Sequence, residues 1–324
     1  MKIKFLQAFN GDSILINYKD GDVNRNILVD GGTPRTYQRH LKPELESLVS
    51  NNELIDLLII THIDDDHIGG IKELYQETNF DRSFIKNVWF NSGILLSDFF
   101  NEERDTSREV KIIMDNQTDM SVGQGISLEN ALKKEGNWQQ DIIYTGVKPI
   151  KIGKAQITIL SPDLYGLKKL HNKWETETDS KVTMSREHDD FDKPISELIT
   201  KQFSEDTAIP NSSSIAFLIE HEDSSGLFLG DAHPSVVEKS LRSLRYNEKN
   251  KLKVNVVKIS HHSSKKNTSP TLLSIIESDR FVILTDGSKH GLPDKQAIAR
   301  VIASNNGCNL YFNYNTFIDE LFLK

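Results

Sequence analysis

Cysteine is almost missing from this chain: Cys308 stands alone among 324 residues. One thiol forms no internal disulfide and builds no cysteine-based metal site, and the expected compartment is the cytoplasm. No apolar run approaches the ~18 residues a membrane helix needs, so no membrane partner is expected. The opening "MKIKFLQAFNGDSILINY" alternates apolar residues and has no small-residue cleavage site, so it reads as a strand and not as a secretory signal. A Gly-x-Ser-x-Gly elbow is missing, which disfavours a serine hydrolase. The glycines of "GGTPR" and "GQGIS" lack a Walker-type lysine, so no nucleotide-binding loop is read. Basic excess is also missing: the net charge is -8. That counts against a chain-wide basic surface for nucleic acid and leaves room for a local patch. Bound divalent cations would offset part of the charge within a site. No repeat and no linker rich in proline, glycine or serine divides the chain. One domain over 1–324 is expected, carrying an insertion at about 163–211.

What is present is a series of short apolar runs separated by turn signals. "KIKFLQAF", "DSILINY", "NILVDGG" and "LIDLLIITH" read as strands, with "LKPELESLVSNN" as a helix among them. "GGIKELYQET" and "GISLENALKKEG" read as helices, "NVWF" as a short strand, and "KPIKIGKAQITILSP" as a hairpin. The segment 163–211 turns polar and charged and reads as helix, exposed loop, helix. Strands return in "SSIAFLIEHE", "SGLFLGD", "VNVVKISHH" and "RFVILTDG", and the helix "DKQAIARVIASN" precedes the strand "NLYFNY". Two runs of strands, each followed by helices, predict two packed sheets with helices outside.

The chemistry concentrates at strand ends. "HIDDDH" places His62, Asp64, Asp65, Asp66 and His67 directly after the apolar "LIDLLII". Such crowded acceptors repel one another unless a cation sits among them, and imidazole with carboxylate suits zinc, manganese or iron. "LFLGD" ends in Asp231, "VNVVKISHH" in His261 and His262, and "ILVDGG" carries Asp30. Each alone also reads as a turn or a surface loop. Together they share one pattern, an apolar strand followed by ligand-type side chains, and strand ends of one layered core converge on one rim. His233 lies close to that rim and reads as a surface residue. His171 and His188 fall in the polar insertion, and His40 and His221 have no partner motif. "SSKKNTS" brings Lys265 and Lys266 close to the paired histidines, as an exposed loop or a contact for a phosphate backbone.

"FNGDSILI", "LVDGG", "THIDDDHIGG", "FLGD", "KISHHSS" and "TDGSKHGLPD", in that order, resemble the metallo-β-lactamase fold. More narrowly, they resemble the soluble hydrolase domain of the DNA-uptake protein ComEC and its stand-alone relatives. The resemblance implies a four-layer αββα sandwich with a site for two divalent ions, zinc or manganese, at one edge of the sheets; binding of a single ion is the alternative. By position it implies His62 and Asp64 on one metal, Asp66 and His67 on the other with His262 completing it, and Asp231 bridging. Which of His261 and His262 is the ligand stays open. The other would bind or protonate a phosphoryl oxygen, and Asp66, His261 and His290 are the catalytic candidates. Departures are visible. Asp64 stands where the wider family has histidine, Asn211 is nearest to the place of a third histidine, and Leu292 replaces a histidine near the end of the chain, with His290 close by.

The expected function is a metal-dependent phosphodiesterase or nuclease acting on nucleic acid or a nucleotide. Hydrolysis of a carboxylic ester, lactone or lactam is the second reading, since a fold does not fix a substrate. A metal-binding sensor or partner subunit of a bacterial defence system, with a protein partner, is the third.

Overall fold

The computed structural model describes residues 1–100, 120–176 and 188–322. Its strands are β1 (Lys2–Phe5), β2 (Ile14–Asp20), β3 (Val23–Val29), β4 (Leu57–Ile59), β5 (Val88–Trp89), β6 (Ile150–Ile152), β7 (Ala155–Ser161), β8 (Ala216–His221), β9 (Ser224–Phe228), β10 (Leu252–Lys253), β11 (Val256–Lys258), β12 (Ile276–Glu277), β13 (Arg280–Ile283) and β14 (Asn309–Phe312). One sheet runs in the order β1-β2-β3-β4-β5, a second in the order β14-β13-β11-β9-β8-β7-β6, and β10 pairs β12 separately. Each large sheet begins as an antiparallel meander and continues as parallel strands. Parallel neighbours need crossovers, and helices supply most of them.

The period of two along the strands decides the layering. Ile14, Ile16, Ile27 and Val29 face Phe217, Ile219, Phe228 and Val256 in one core between the sheets. The intervening Leu15 and Leu28 point the other way, onto Ile68, Ile71 and Leu74 of helix Asp65–Gln76 and Leu128 and Leu132 of helix Met120–Glu135. On the far side, Leu218, Leu227 and Val257 pack on Val237 and Leu241 of helix Pro234–Ser243 and on Val301 of helix Lys295–Ser304. The architecture is an α/β sandwich of two facing sheets with helices on both outer faces, as the strand pattern predicts.

Two glycine pairs set the approach of helix Asp65–Gln76 to the end of β3. Gly31 N donates to His67 O at 2.8 Å and Gly70 N donates to Gly32 O at 2.9 Å. A Cβ on Gly70 would collide with the Gly31 carbonyl. Gly70→Ala is therefore expected to lower stability by about 2 kcal/mol, the cost of forcing a packed contact apart. A reduced midpoint in urea unfolding, with an unchanged slope, is the expected reading.

The elements differ from the sequence reading in three places. The helix after "HIDDDH" starts at Asp65, with Asp64 as its N-cap, so Asp66 and His67 sit in its first turn and not in a loop. The acidic first turn agrees with the positive end of a helix dipole. The segment 163–211 contains helix Leu164–Thr176 and two single turns, Ile195–Leu198 and Ile209–Ser212, while the centre of the expected exposed loop, 177–187, lies outside the described residues. Helices Gly93–Phe100 and Pro234–Ser243 and the β10–β12 pair carry no signal that the sequence reading used. Among the described residues, no helix is long and apolar enough to cross a membrane.

Candidate metal centre

The C-terminal ends of β4, β9 and β11 meet where the two sheets share an edge. β4 runs out through Ile60 and Thr61 into His62, and β9 through Gly230 into Asp231. β11 runs out into His261, His262 and Ser263, three consecutive non-glycine residues at φ 46, 51 and 69. Left-handed backbone at such residues is costly and persists only where surrounding structure holds it. Here the turn aims both histidines at Asp231.

Asp231 is the hub. Its carboxylate lies 3.3 Å from His67 Nε2 and 3.8 Å from the Nε2 atoms of His62, His261 and His262. Asp64 stands 3.5 Å from His62 Nε2, and Asp66 stands 3.4 Å from His262 Nε2. The donor atoms of His62, His67 and Asp231 lie close enough together to hold one cation, and so do those of Asp66, His67 and His262.

Each buried ring is oriented by its other nitrogen. His67 Nδ1 donates to Asp30 at 2.8 Å, and His262 Nδ1 donates to the Leu284 carbonyl at 2.8 Å. The Thr61 hydroxyl donates to Asp30 at 2.7 Å, so its oxygen accepts from His62 Nδ1 at 3.0 Å. With Nδ1 occupied in all three, each Nε2 faces inward. Among the described residues, the Nε2 atoms of His62, His67 and His262 and Oδ1 of Asp231 are buried with no hydrogen-bond partner. Buried polar atoms are seldom left so. Imidazoles fixed through Nδ1 by a carboxylate or carbonyl are the usual support of metal ligands, and this donor set fits divalent cations.

Charge tells the same story. Burial by itself would push His262 down, but Asp231, Asp12 and Asp66 outweigh it and raise it to about 10. Burial is likewise overcome at His67, which Asp231 and Asp30 hold well above the ordinary histidine value. Burial would push the Asp231 carboxyl up, yet His67, His261 and His262 together hold it well below its usual range. Without a cation, protons on these imidazoles would balance the carboxylates. Cations would take their place, releasing those protons.

The half-exposed His261 differs from its neighbour. Its Nδ1 donates to Asn267 Oδ1 at 3.0 Å, with Asp206 at 3.8 Å and the Asn211 amide at 3.3 Å, and its Nε2 faces Asp231. Asn211 itself donates to Asp206 at 2.6 Å. Asp206, near the end of the 163–211 segment, thus organises one wall of the site. His290 is exposed at the rim, and partial desolvation with the nearby His261, His262 and Lys289 pushes its pKa down against the pull of Asp66. Leu292 is buried. His233, read from the sequence as a surface residue, is instead buried, 3.7 Å from Asp206. His40 stands against Phe9, His171 is stacked on Phe100, His188 on Phe191, and His221 packs on Tyr18, outside this cluster.

Three participants carry roles that the sequence reading did not give them. Asp30, fully buried, orients both Thr61 and His67. Asp12 lies 3.4 Å from His262 Nδ1 and pairs with Lys258, and the Lys258 ammonium, also fully buried, donates to Gly230 O at 3.2 Å. The signal for Lys258 was a lysine inside the apolar "VNVVKI", where a buried strand position has no use for a charge without a partner.

The family model "Metallo-beta-lactamase superfamily" matches residues 6–92, which include Asp12, Asp30 and the whole of "HIDDDH". No curated protein matches the sequence. Among solved structures, the chain is similar to the metallo-beta-lactamase fold protein YhfI from Bacillus subtilis, at 8% identity and a TM-score of 0.37, over 96% of this chain and 95% of that one. It is also similar to ETHE1 from Myxococcus xanthus, at 12% identity and a TM-score of 0.31, over 75% of this chain and 68% of that one. Such scores bear on neither chemistry nor substrate. Residues 6–92 thus match the metallo-beta-lactamase superfamily model, and two facing sheets flanked by helices are consistent with that fold.

Proposed function

We propose that this chain is a metal-dependent hydrolase of phosphodiesters. The observation that carries the reading is the convergence on Asp231 of three buried imidazole Nε2 atoms that, like its Oδ1, have no hydrogen-bond partner among the described residues. His62, Asp64 and Asp231 would hold one divalent cation, and Asp66, His67, His262 and Asp231 a second. The oxygen-rich first set fits manganese as well as zinc. When bound, such ions supply Lewis acidity and activate water, which suits in-line displacement at phosphorus.

The chain's own residues do the rest. Asn10 Nδ2 donates to Asp66 at 3.0 Å and fixes that carboxylate. His261, held from behind by Asn267 and Asp206, is half-exposed, with Nε2 turned to the centre. It is placed to donate a hydrogen bond or a proton to a phosphoryl or leaving-group oxygen. His290 at the rim is the second candidate for that task. The order of the motifs, similar to that of the ComEC hydrolase domain, supports a phosphodiester over a carboxylic ester.

The test is hydrolysis of bis(p-nitrophenyl) phosphate with Mn²⁺ or Zn²⁺, comparing the native chain with Asp66→Ala. Turnover that requires metal and drops at least about a hundredfold in the variant is expected. A folded protein that hydrolyses p-nitrophenyl acetate or a lactone but not the phosphodiester would move the reading to carboxylic esters. A protein that hydrolyses neither would move it to a sensor or a partner-dependent subunit.

A further inference from the structure

The rim beside Asp66 carries an arrangement that metal binding does not explain. Phe9 is a non-glycine residue at φ 61, and it is held on both sides: its N–H donates to the Tyr314 hydroxyl at 2.9 Å and its carbonyl accepts from Asp286 N at 2.9 Å. Strained backbone pinned in this way is a pointer to function. What the pinning fixes is the Phe9 ring. Arg35 lies over it at 4.7 Å, Arg39 at 5.6 Å, and His40 meets it edge-on at 6.0 Å.

Stacking on an aromatic face holds a guanidinium plane still while its N–H edge stays free. Both arginines are exposed, and among the described residues neither has a carboxylate partner. Two like charges brought to one ring are eased by an anion that bridges them. The patch is continuous with the metal centre through the chain itself. Asn10, next to Phe9, donates to the Asp66 carboxylate at 3.0 Å, and Asp12 N donates to Asp66 O at 3.1 Å.

We propose that Arg35 and Arg39, stacked on Phe9, bind a phosphate flanking the scissile one, so that the preferred substrate is a nucleic acid strand and not an isolated phosphodiester. The inference rests on the phosphodiester reading for its scissile group. The flanking contacts are bidentate guanidinium–phosphate hydrogen bonds.

Binding decides it without turnover. Metal-free protein is titrated with a fluorescein-labelled oligothymidylate at several salt concentrations and followed by anisotropy. The Arg35→Gln/Arg39→Gln variant is expected to bind about tenfold or more weakly, with a log K against log [salt] slope smaller by about two, one for each lost phosphate contact. Arg35→Lys/Arg39→Lys is expected to keep most of the slope while losing affinity, since lysine keeps the charge and lacks the planar fork. Lys148→Gln/Lys151→Gln, at the opposite edge of the second sheet, is the comparison for charge removal in general. An unchanged slope and affinity in the arginine-to-glutamine variant, or an equal loss in the lysine comparison, would overturn the proposal. Failure to hydrolyse bis(p-nitrophenyl) phosphate would instead count against the phosphodiester reading, so the two failures are separate. Where turnover is present, the KM for the oligonucleotide should rise at least about tenfold more in the variant than the KM for bis(p-nitrophenyl) phosphate.

Discussion

His67→Ala is expected to abolish metal-dependent hydrolysis and to weaken cation binding by more than about a hundredfold. Loss of a residue that merely supports a ligand costs about 10–100-fold, and His67 stands closer in than that. Its Nε2 faces the second proposed cation and lies 3.3 Å from Asp231, the carboxylate both cations would share. Its Nδ1 is anchored on Asp30 at 2.8 Å. Truncation therefore removes one ligand from the second set and leaves two buried carboxylates, Asp30 and Asp231, short of a partner. Breaking such a buried pair costs about 3–5 kcal/mol, and the value here should fall near the lower end because Asp30 keeps both Thr61 contacts. Calorimetric titration with Mn²⁺ or Zn²⁺ and urea unfolding of the metal-free protein read the two effects. Wild-type affinity in a folded His67→Ala variant would show that the cations bind elsewhere.

Lys258→Met should be the most destabilising substitution of a residue that holds no cation. Lys258 and Asp12 are both buried at the end of β11, and the ammonium also reaches to 4.0 Å from Asp231. Burial would push the Asp12 carboxyl up; Lys258 first, then His262, overcome it and keep Asp12 below its usual range. A carboxyl with a lowered pKa contributes stability that is present above the ordinary carboxylate value, about 3.9, and is lost as pH falls through the lower folded value. With the lysine gone, Asp12 is a buried charge without its main counter-ion, at a cost of about 3–5 kcal/mol near neutral pH. The double variant Asp12→Asn/Lys258→Met removes both charges and should recover most of that loss, because it leaves no uncompensated ion. Urea unfolding of the two single variants and the double variant measures the coupling. Simple additivity would mean that the pair does not act as a unit.

The layered fold was legible because the strands alternate so regularly: Ile14–Leu15–Ile16 and Ile27–Leu28–Val29 each divide one residue to the sheet interface and the next to the helices. The ligand-type residues were legible because they sit directly after apolar runs, where "HIDDDH", "LGD" and "SHH" stand out from their surroundings. What stayed hidden depends on contacts far apart in sequence. Asp206 reaches His261 across 55 positions, and Asp12 meets Lys258 across 246, separations no local pattern encodes. Asp30 was visible at a strand end but indistinguishable from a turn residue until its bond to His67 Nδ1 was seen. The start of the helix at Asp65 was obscured for a different reason. Its first turn holds only acids and a histidine, so the helical apolar period begins only at Ile68 and the preceding residues look like loop.

A pocket built around Asp231 for divalent cations should hold them in a countable number. Metal-free protein is dialysed to equilibrium against micromolar Mn²⁺ or Zn²⁺, and the bound metal is measured per chain. About two ions per chain are predicted for the native protein, as for a paired-cation hydrolytic site, with a clear fall in Asp231→Ala. A folded native chain that retains no metal, or an Asp231→Ala variant that retains as much as the native chain, would contradict the account.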